Sequence, residues 1–240
     1  MVGALASQLL RRRVSVARRL DGEPLRQRRR HRRRPGHRAR RAAGSRLRLH
    51  APPILRSTGR LIIRISRGLR LGGVQEFIRS SVQGFADVLQ IRESELGTRE
   101  LLDLVTAVVP LARPAGLRVV VNDRVDVALI AGADGVHLPA RGLPVAEVRA
   151  IAPPGFLIGK SAHTDEEIDR AAGADYLIFG TIFATASKPG VQGQGLEALR
   201  RAVKRFQGPV LAIGGVSAAN LPEVMSTGAA GYAGISSFAL

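Results

Sequence analysis

Polar side chains suited to anion binding and proton transfer recur at the ends of short apolar runs in this 240-residue sequence. Gln90 and Arg92 stand two apart, so an extended segment carries both on one face, with Glu93 next in line. Asn122-Asp123-Arg124 closes a second run, His137 lies inside a third (Val136-His137-Leu138-Pro139), and Ser161 and His163 follow a fourth. His163 immediately precedes Thr164-Asp165-Glu166-Glu167, a capping box that opens a helix. An imidazole with an ordinary pKa near ~6.5 in that place suits proton transfer at neutral pH, although a surface histidine before a helix has the same pattern. Thr185, Ser187 and Lys188 come next, then Gly214-Gly215 and Gly234-Ile235-Ser236-Ser237. Glycines let backbone N–H groups approach an anion closely, and they equally permit a tight turn. His137, on an apolar run, reads first as a hydrogen-bonded lining residue. Asp123 is a candidate metal ligand, but a hard cation takes more than one oxygen-rich residue, and beside Arg124 it reads equally as a salt-bridged turn. With no cysteine, the chain has no disulfide, no thiolate nucleophile and no cysteine-held zinc or iron–sulfur centre.

Repeated strand–helix units must position these groups. Eight β-branched or apolar runs read as strands: 61–65, 88–92, 118–122, 135–138, 157–161, 176–180, 210–214 and 232–235. Helical patterns fall between them at 73–83, 98–112, 125–131, 144–150, 165–172, 196–206 and 221–226. This alternation predicts an α/β fold, a closed (β/α)8 TIM barrel rather than an open doubly wound sheet, since no GxGxxG follows the first strand. Such barrels place chemistry at the strand C-termini and on the loops after them, and most of the residues named above fall there. The two glycine-rich loops then follow strands seven and eight, the usual phosphate position. Only five residues follow Ile235, so the last helix is expected to be truncated.

The formal charge of +18 is unevenly spread. Residues 1 to 50 hold 17 arginines against Asp21 and Glu23, which leaves the remainder nearly neutral. This arginine-rich N-terminal extension, 1–57, has no apolar face to bury and is expected to be disordered, with the barrel spanning 58–240. An accidental extension, a nucleic-acid-binding arm and a transit peptide all fit its composition. The first is preferred, because the first fifty residues contain neither lysine nor an aromatic to stack on bases. No apolar stretch approaches the ~18 residues of a membrane span, so the barrel is expected to be cytoplasmic, with no membrane or nucleic-acid partner and with self-association left open.

Taken in order, the motifs resemble the thiamin phosphate synthase/TenI superfamily of (β/α)8 enzymes. The resemblance rests on Leu89-Gln90-Ile91-Arg92-Glu93, Val121-Asn122-Asp123-Arg124, Gly132-Ala133-Asp134-Gly135-Val136-His137-Leu138, Ile158-Gly159-Lys160-Ser161-Ala162-His163-Thr164, Gly173-Ala174-Asp175-Tyr176, Phe179 to Thr185 with Lys188, and Ala212 to Val216. The synthases usually read Gln-Xaa-Arg-Glu-Lys after strand two and Gly-Gln-Asp-Asp after strand four, residues that hold pyrophosphate and magnesium. Here Ser94 replaces the lysine and Pro139-Ala140-Arg141-Gly142 replaces the acidic stretch. Thiazole tautomerases of the TenI type also lack the acidic pair, and 179–195 looks more like theirs. The resemblance therefore implies a metal-free thiazole tautomerase acting on a small phosphorylated thiazole. His163 would be its acid/base, Gly214, Gly215, Ile235 and Ser236 its phosphate cradle, and Gln90, Arg92, Asn122 and Lys188 its anion or ring contacts. The alternative is a thiamin phosphate synthase, with Asp123 holding Mg2+. A third is a non-catalytic phosphate-binding barrel with a nucleic-acid arm.

Overall fold

A computed structural model describes residues 59–185, 190 and 192–235. The expected disorder of 1–57, the truncated last helix, and the residues Ser187, Lys188, Ser236 and Ser237 fall outside them.

Eight parallel strands close into a barrel in sequence order: β1 (Leu61–Ile65), β2 (Val88–Ile91), β3 (Arg118–Asn122), β4 (Gly135–Leu138), β5 (Leu157–Ala162), β6 (Tyr176–Gly180), β7 (Val210–Ile213) and β8 (Gly231–Gly234). The seam joins β1 to β8, with Leu61 opposite Gly231 and Ile63 opposite Ala233. Seven helices follow the first seven strands: α1 (Val74–Gln83), α2 (Thr98–Ala112), α3 (Val125–Ile130), α4 (Val145–Ile151), α5 (Asp165–Asp169), α6 (Gly195–Arg205) and α7 (Leu221–Ser226). The predicted (β/α)8 barrel is present. Two short 3-10 turns, Leu71–Gly73 and Arg113–Ala115, have no counterpart in the sequence reading.

Alternation along the strands sorts the side chains into two cores. Leu61, Ile63 and Ile65 of β1 point inward with Val88, Val120, Leu157, Tyr176, Ile178 and Leu211, filling the barrel. Intervening residues such as Leu89, Val119, Val121 and Val136 face the helices. At the strand N-termini a repeated device closes the floor. Asp87, Asp134 and Asp175, each just before a strand, accept from the backbone N–H of Ile62, Val119 and Ile158 on the preceding strand at 3.0, 2.8 and 2.7 Å. These carboxylates satisfy strand-end donors at the end of the barrel that serves stability, leaving the opposite end for chemistry.

Candidate active site

The strand C-termini open into a cavity of about 1400 Å³, larger than the ~300–1,000 Å³ typical of a single small ligand. Of the sequence-predicted residues, Gln90, Arg92, Asn122, His163, Gly214, Gly215 and Ile235 line it, and so do His137, Ser161 and Thr185. Asp123 does not, and Lys188 and Ser236 lie outside the described residues.

On the β2–β3 wall, Gln90 is 2% exposed and its Nε2 donates to Asn122 Oδ1 at 3.0 Å. The Gln90 Oε1 is buried with no partner, an acceptor available to a ligand N–H. Arg92 lies one residue beyond the strand, because its backbone N–H donates to Ser66 Oγ (2.9 Å) instead of continuing the ladder. Its guanidinium makes no ion pair among the described residues. Glu93 is buried, its Oε2 accepting from Gly68 N–H at 2.6 Å and lying 3.9 Å from Arg70.

Across β4, β5 and β6 runs a buried polar chain. His137 Nε2 is 2.8 Å from Ser161 Oγ, and His137 Nδ1 is 3.3 Å from the Tyr176 hydroxyl, the two rings stacked at 5.6 Å. Burial, and secondarily the Lys160 charge, push the His137 pKa down to about 3, so the ring is neutral. Burial raises the Tyr176 pKa, so its hydroxyl stays a donor. In the neutral ring one nitrogen donates and the other accepts, so His137 bridges the Tyr176 and Ser161 hydroxyls, and the Ser161 side of the chain borders the cavity. Only glycine fits at 159, where a Cβ would fall 2.0 Å from the Tyr176 ring. The sequence reading of His137 as a satisfied lining residue is met, but its link to Ser161 was missed.

His163 is about half exposed at the rim; its N–H donates to Glu167 Oε2 (2.7 Å), and its Nδ1 lies 3.6 Å from the same oxygen. Thr164 caps α5, its Oγ1 accepting from Glu167 N–H at 3.3 Å. The expected reciprocal bond is redirected: the Glu167 carboxylate reaches the backbone of His163, one residue before the cap.

Opposite lies the double-glycine loop. Gly214 and Gly215 have φ of 98° and 65°, and Cβ atoms there would fall 2.5 Å from Thr181 and 2.7 Å from Phe183. Glycine is therefore demanded by backbone and packing, whatever the loop binds. Asn220, absent from the sequence reading, clamps this loop by accepting from Ser217 N–H (2.8 Å) and donating to Gly215 O (2.9 Å). If this loop holds the thiazole phosphate, as the resemblance implies, Asn220→Ala weakens that binding about tenfold, the scale of one lost hydrogen bond to an organising group. Calorimetry should show inorganic pyrophosphate affinity unchanged, and equal losses for both would mean general disorder rather than a loosened cradle.

Of the two readings of Asp123, the salt bridge to Arg124 is corrected. Asp123 sits in a left-handed turn (φ 63°), and Arg124 instead forks onto Asp126, at 2.9 and 2.5 Å, where i+2 geometry lets both oxygens be reached.

Comparison with known proteins agrees with this geometry. The family model described as thiamine monophosphate synthase matches residues 66–238. This chain belongs to the thiamine monophosphate synthase family. Among family members, the thiamine-phosphate synthase of Methanoculleus marisnigri is 46% identical over 164 residues, 67% of this chain and 78% of the relative. That of Methanocella arvoryzae is 44% identical over 72% of this chain and 81% of its own. The thiamine phosphate pyrophosphorylase structure from Pyrococcus furiosus superposes with a TM-score of 0.65 at 35% identity, covering 74% of this chain and 86% of that one. A 3-hexulose-6-phosphate synthase (TM-score 0.53, 21% identity, 73% of this chain and 89% of that one) shares the fold. Family membership places the chain in thiamin biosynthesis. Among the described residues, no helix is long and apolar enough to cross a membrane.

Magnesium held by two carboxylates, which the synthase resemblance implies, does not fit the residues present. Asp123 does not line the cavity; its carboxylate lies beside Gly142, where a Cβ would fall 2.8 Å from Pro139 and 3.1 Å from Asp123 Oδ1, and Gly142 brings no second carboxylate to it. No three His, Asp or Glu side chains converge among the described residues.

Proposed function

We propose that this chain is a thiamin phosphate synthase, joining a hydroxymethylpyrimidine diphosphate to a thiazole phosphate. The identity to synthase-named relatives carries the reading. It is supported by a cavity that carries two kinds of anion-suited group, arginines on the β1, β2 and β4 loops and glycines on the β7 and β8 loops. In the synthase reaction the bond between the pyrimidine methylene carbon and the diphosphate oxygen breaks, its electron pair leaving with pyrophosphate. The thiazole nitrogen then bonds to that carbon. In this reading Gly214, Gly215, Ile235 and Ser236 bind the thiazole phosphate and Arg92, Asn122 and Lys188 bind the diphosphate, with Gln90 Oε1 offering an acceptor and Ser161 a hydroxyl to the pyrimidine ring.

This balance moves no proton, so His163 is not required as an acid/base. The tautomerase reading keeps one favourable observation, an imidazole at the rim beside Glu167. One experiment separates them: thiamin phosphate formation from both substrates, and deuterium incorporation into the thiazole, are followed with the parent and His163→Gln. The synthase reading expects thiamin phosphate from the parent and less than about tenfold loss in the variant, below the ~100-fold or more due to a general acid/base. Deuterium exchange without condensation, lost in His163→Gln, would make the tautomerase reading correct.

A further inference from the structure

The cavity wall carries more fixed positive charge than the catalytic reading has used. Arg67, Arg70, Arg92 and Arg141 line it with Glu93, Glu95 and Glu167. Two of the acids are engaged within the fold: Glu93 by Gly68 N–H and Arg70, and Glu167 by His163 N–H. Glu95 is exposed beside the Ser94 hydroxyl. Arg67, Arg92 and Arg141 make no ion pair among the described residues.

The loop presenting Arg141 is held from below by an unusual group. Lys160 is 3% exposed on β5, and its Nζ donates to the carbonyls of Gly142 (3.3 Å) and Leu143 (3.2 Å). Gly142 N–H donates to Pro139 O at 2.8 Å, closing a turn around Ala140 and Arg141. A buried ammonium bonded to two carbonyls fixes that backbone, and its charge also acts on Asp123. The carboxylate that would attract a divalent ion therefore already has a protein cation nearby, while position 141 offers a guanidinium in place of an oxygen donor. A small hard cation keeps waters and needs one or two carboxylates with the substrate phosphates, whereas a guanidinium fork matches phosphate oxygens bidentately.

Resting on the synthase reading, we propose that Arg141 and Arg92 are the counter-charge for the diphosphate in this chain, in place of a carboxylate-held divalent cation. The inference concerns how the leaving group is held, so it can fail while the reaction stands. The test is calorimetric binding of inorganic pyrophosphate to the full chain, in EDTA and in excess Mg2+, with the parent and Arg141→Ala; condensation turnover is measured in parallel. Parent affinity in EDTA within about threefold of that in Mg2+, falling tenfold or more in Arg141→Ala while thiazole phosphate affinity holds, supports the proposal. Pyrophosphate binding that appears only with Mg2+, binding absent in both buffers, or an Arg141→Ala variant that binds as tightly as the parent overturns it. Turnover decides the synthase reading separately: thiamin phosphate formed only with Mg2+ keeps that reading and sinks this one, and its absence under both conditions sinks the synthase reading.

Discussion

Arg92→Ala is expected to lower kcat/KM for condensation by about 10²–10³, the usual cost of removing one preorganised donor from a site where charge develops. As the diphosphate departs, negative charge grows on the bridging oxygen, and a cation already in place needs no reorganisation to meet it. Arg92 is such a cation: its side chain lines the cavity without an ion pair among the described residues, and its backbone is pinned by the 2.9 Å bond to Ser66. Arg92→Lys should recover part of the loss, keeping the charge but not the planar fork. Thiazole phosphate affinity should stay within about threefold, because in this reading the thiazole phosphate is held by the glycine loops of β7 and β8 and not by Arg92. Steady-state kinetics with each substrate varied makes the measurement. A kcat/KM within threefold of the parent would put the leaving group elsewhere.

Much of the barrel could be read from period and punctuation. β1, β3, β4 and β6, and helices α2 and α7, begin and end where the apolar runs do. Departures have local causes. β2 stops before Arg92 because a serine hydroxyl, not a neighbouring strand, takes the next N–H. α5, expected to reach Ala172, ends at Asp169 because Ala171 and Ala172 bond three residues back, to Ile168 and Asp169, tightening the chain into the turn at Gly173.

The site was legible as a set of positions but not as connections. His137 and Ser161 are 24 residues apart, and His137 and Tyr176 are 39 apart; no local spacing announces that β4, β5 and β6 bring them together. Lys160 looks like an interruption in an apolar strand, and its partners are carbonyls 17 and 18 residues earlier. Asn220 had a sequence signal, an Asx residue preceding a helix a few residues after a double glycine, that could have marked it as a loop clamp. Arg141 was visible only as a departure from the family's acidic stretch, and the cavity shows where that departure puts its charge.

Acid should destabilise this barrel well before its carboxylates titrate. His137 has a folded pKa of about 3 against 6.5 for an unhindered imidazole, so between those values the unfolded chain binds a proton that the folded chain refuses. Its full contribution to stability is present above pH 6.5 and is lost as pH falls, at about 1.4 kcal/mol per pH unit, or about 2 kcal/mol by pH 5. The carboxylates with lowered pKa values, Asp126, Glu166 and Asp169, act below their ordinary 3.8 and 4.5, leaving the upper interval to the histidine. Urea unfolding at pH 7.5, 6.5, 5.8 and 5.0 measures the slope. His137→Gln keeps a polar side chain that cannot titrate; it should be less stable at pH 7.5, yet flatter with pH by about one proton. The slope is the deciding quantity, because burial of an imperfect substitute changes the offset alone. Parent and variant curves that run parallel from pH 6.5 to 5.0 would mean that His137 accepts its proton inside the barrel.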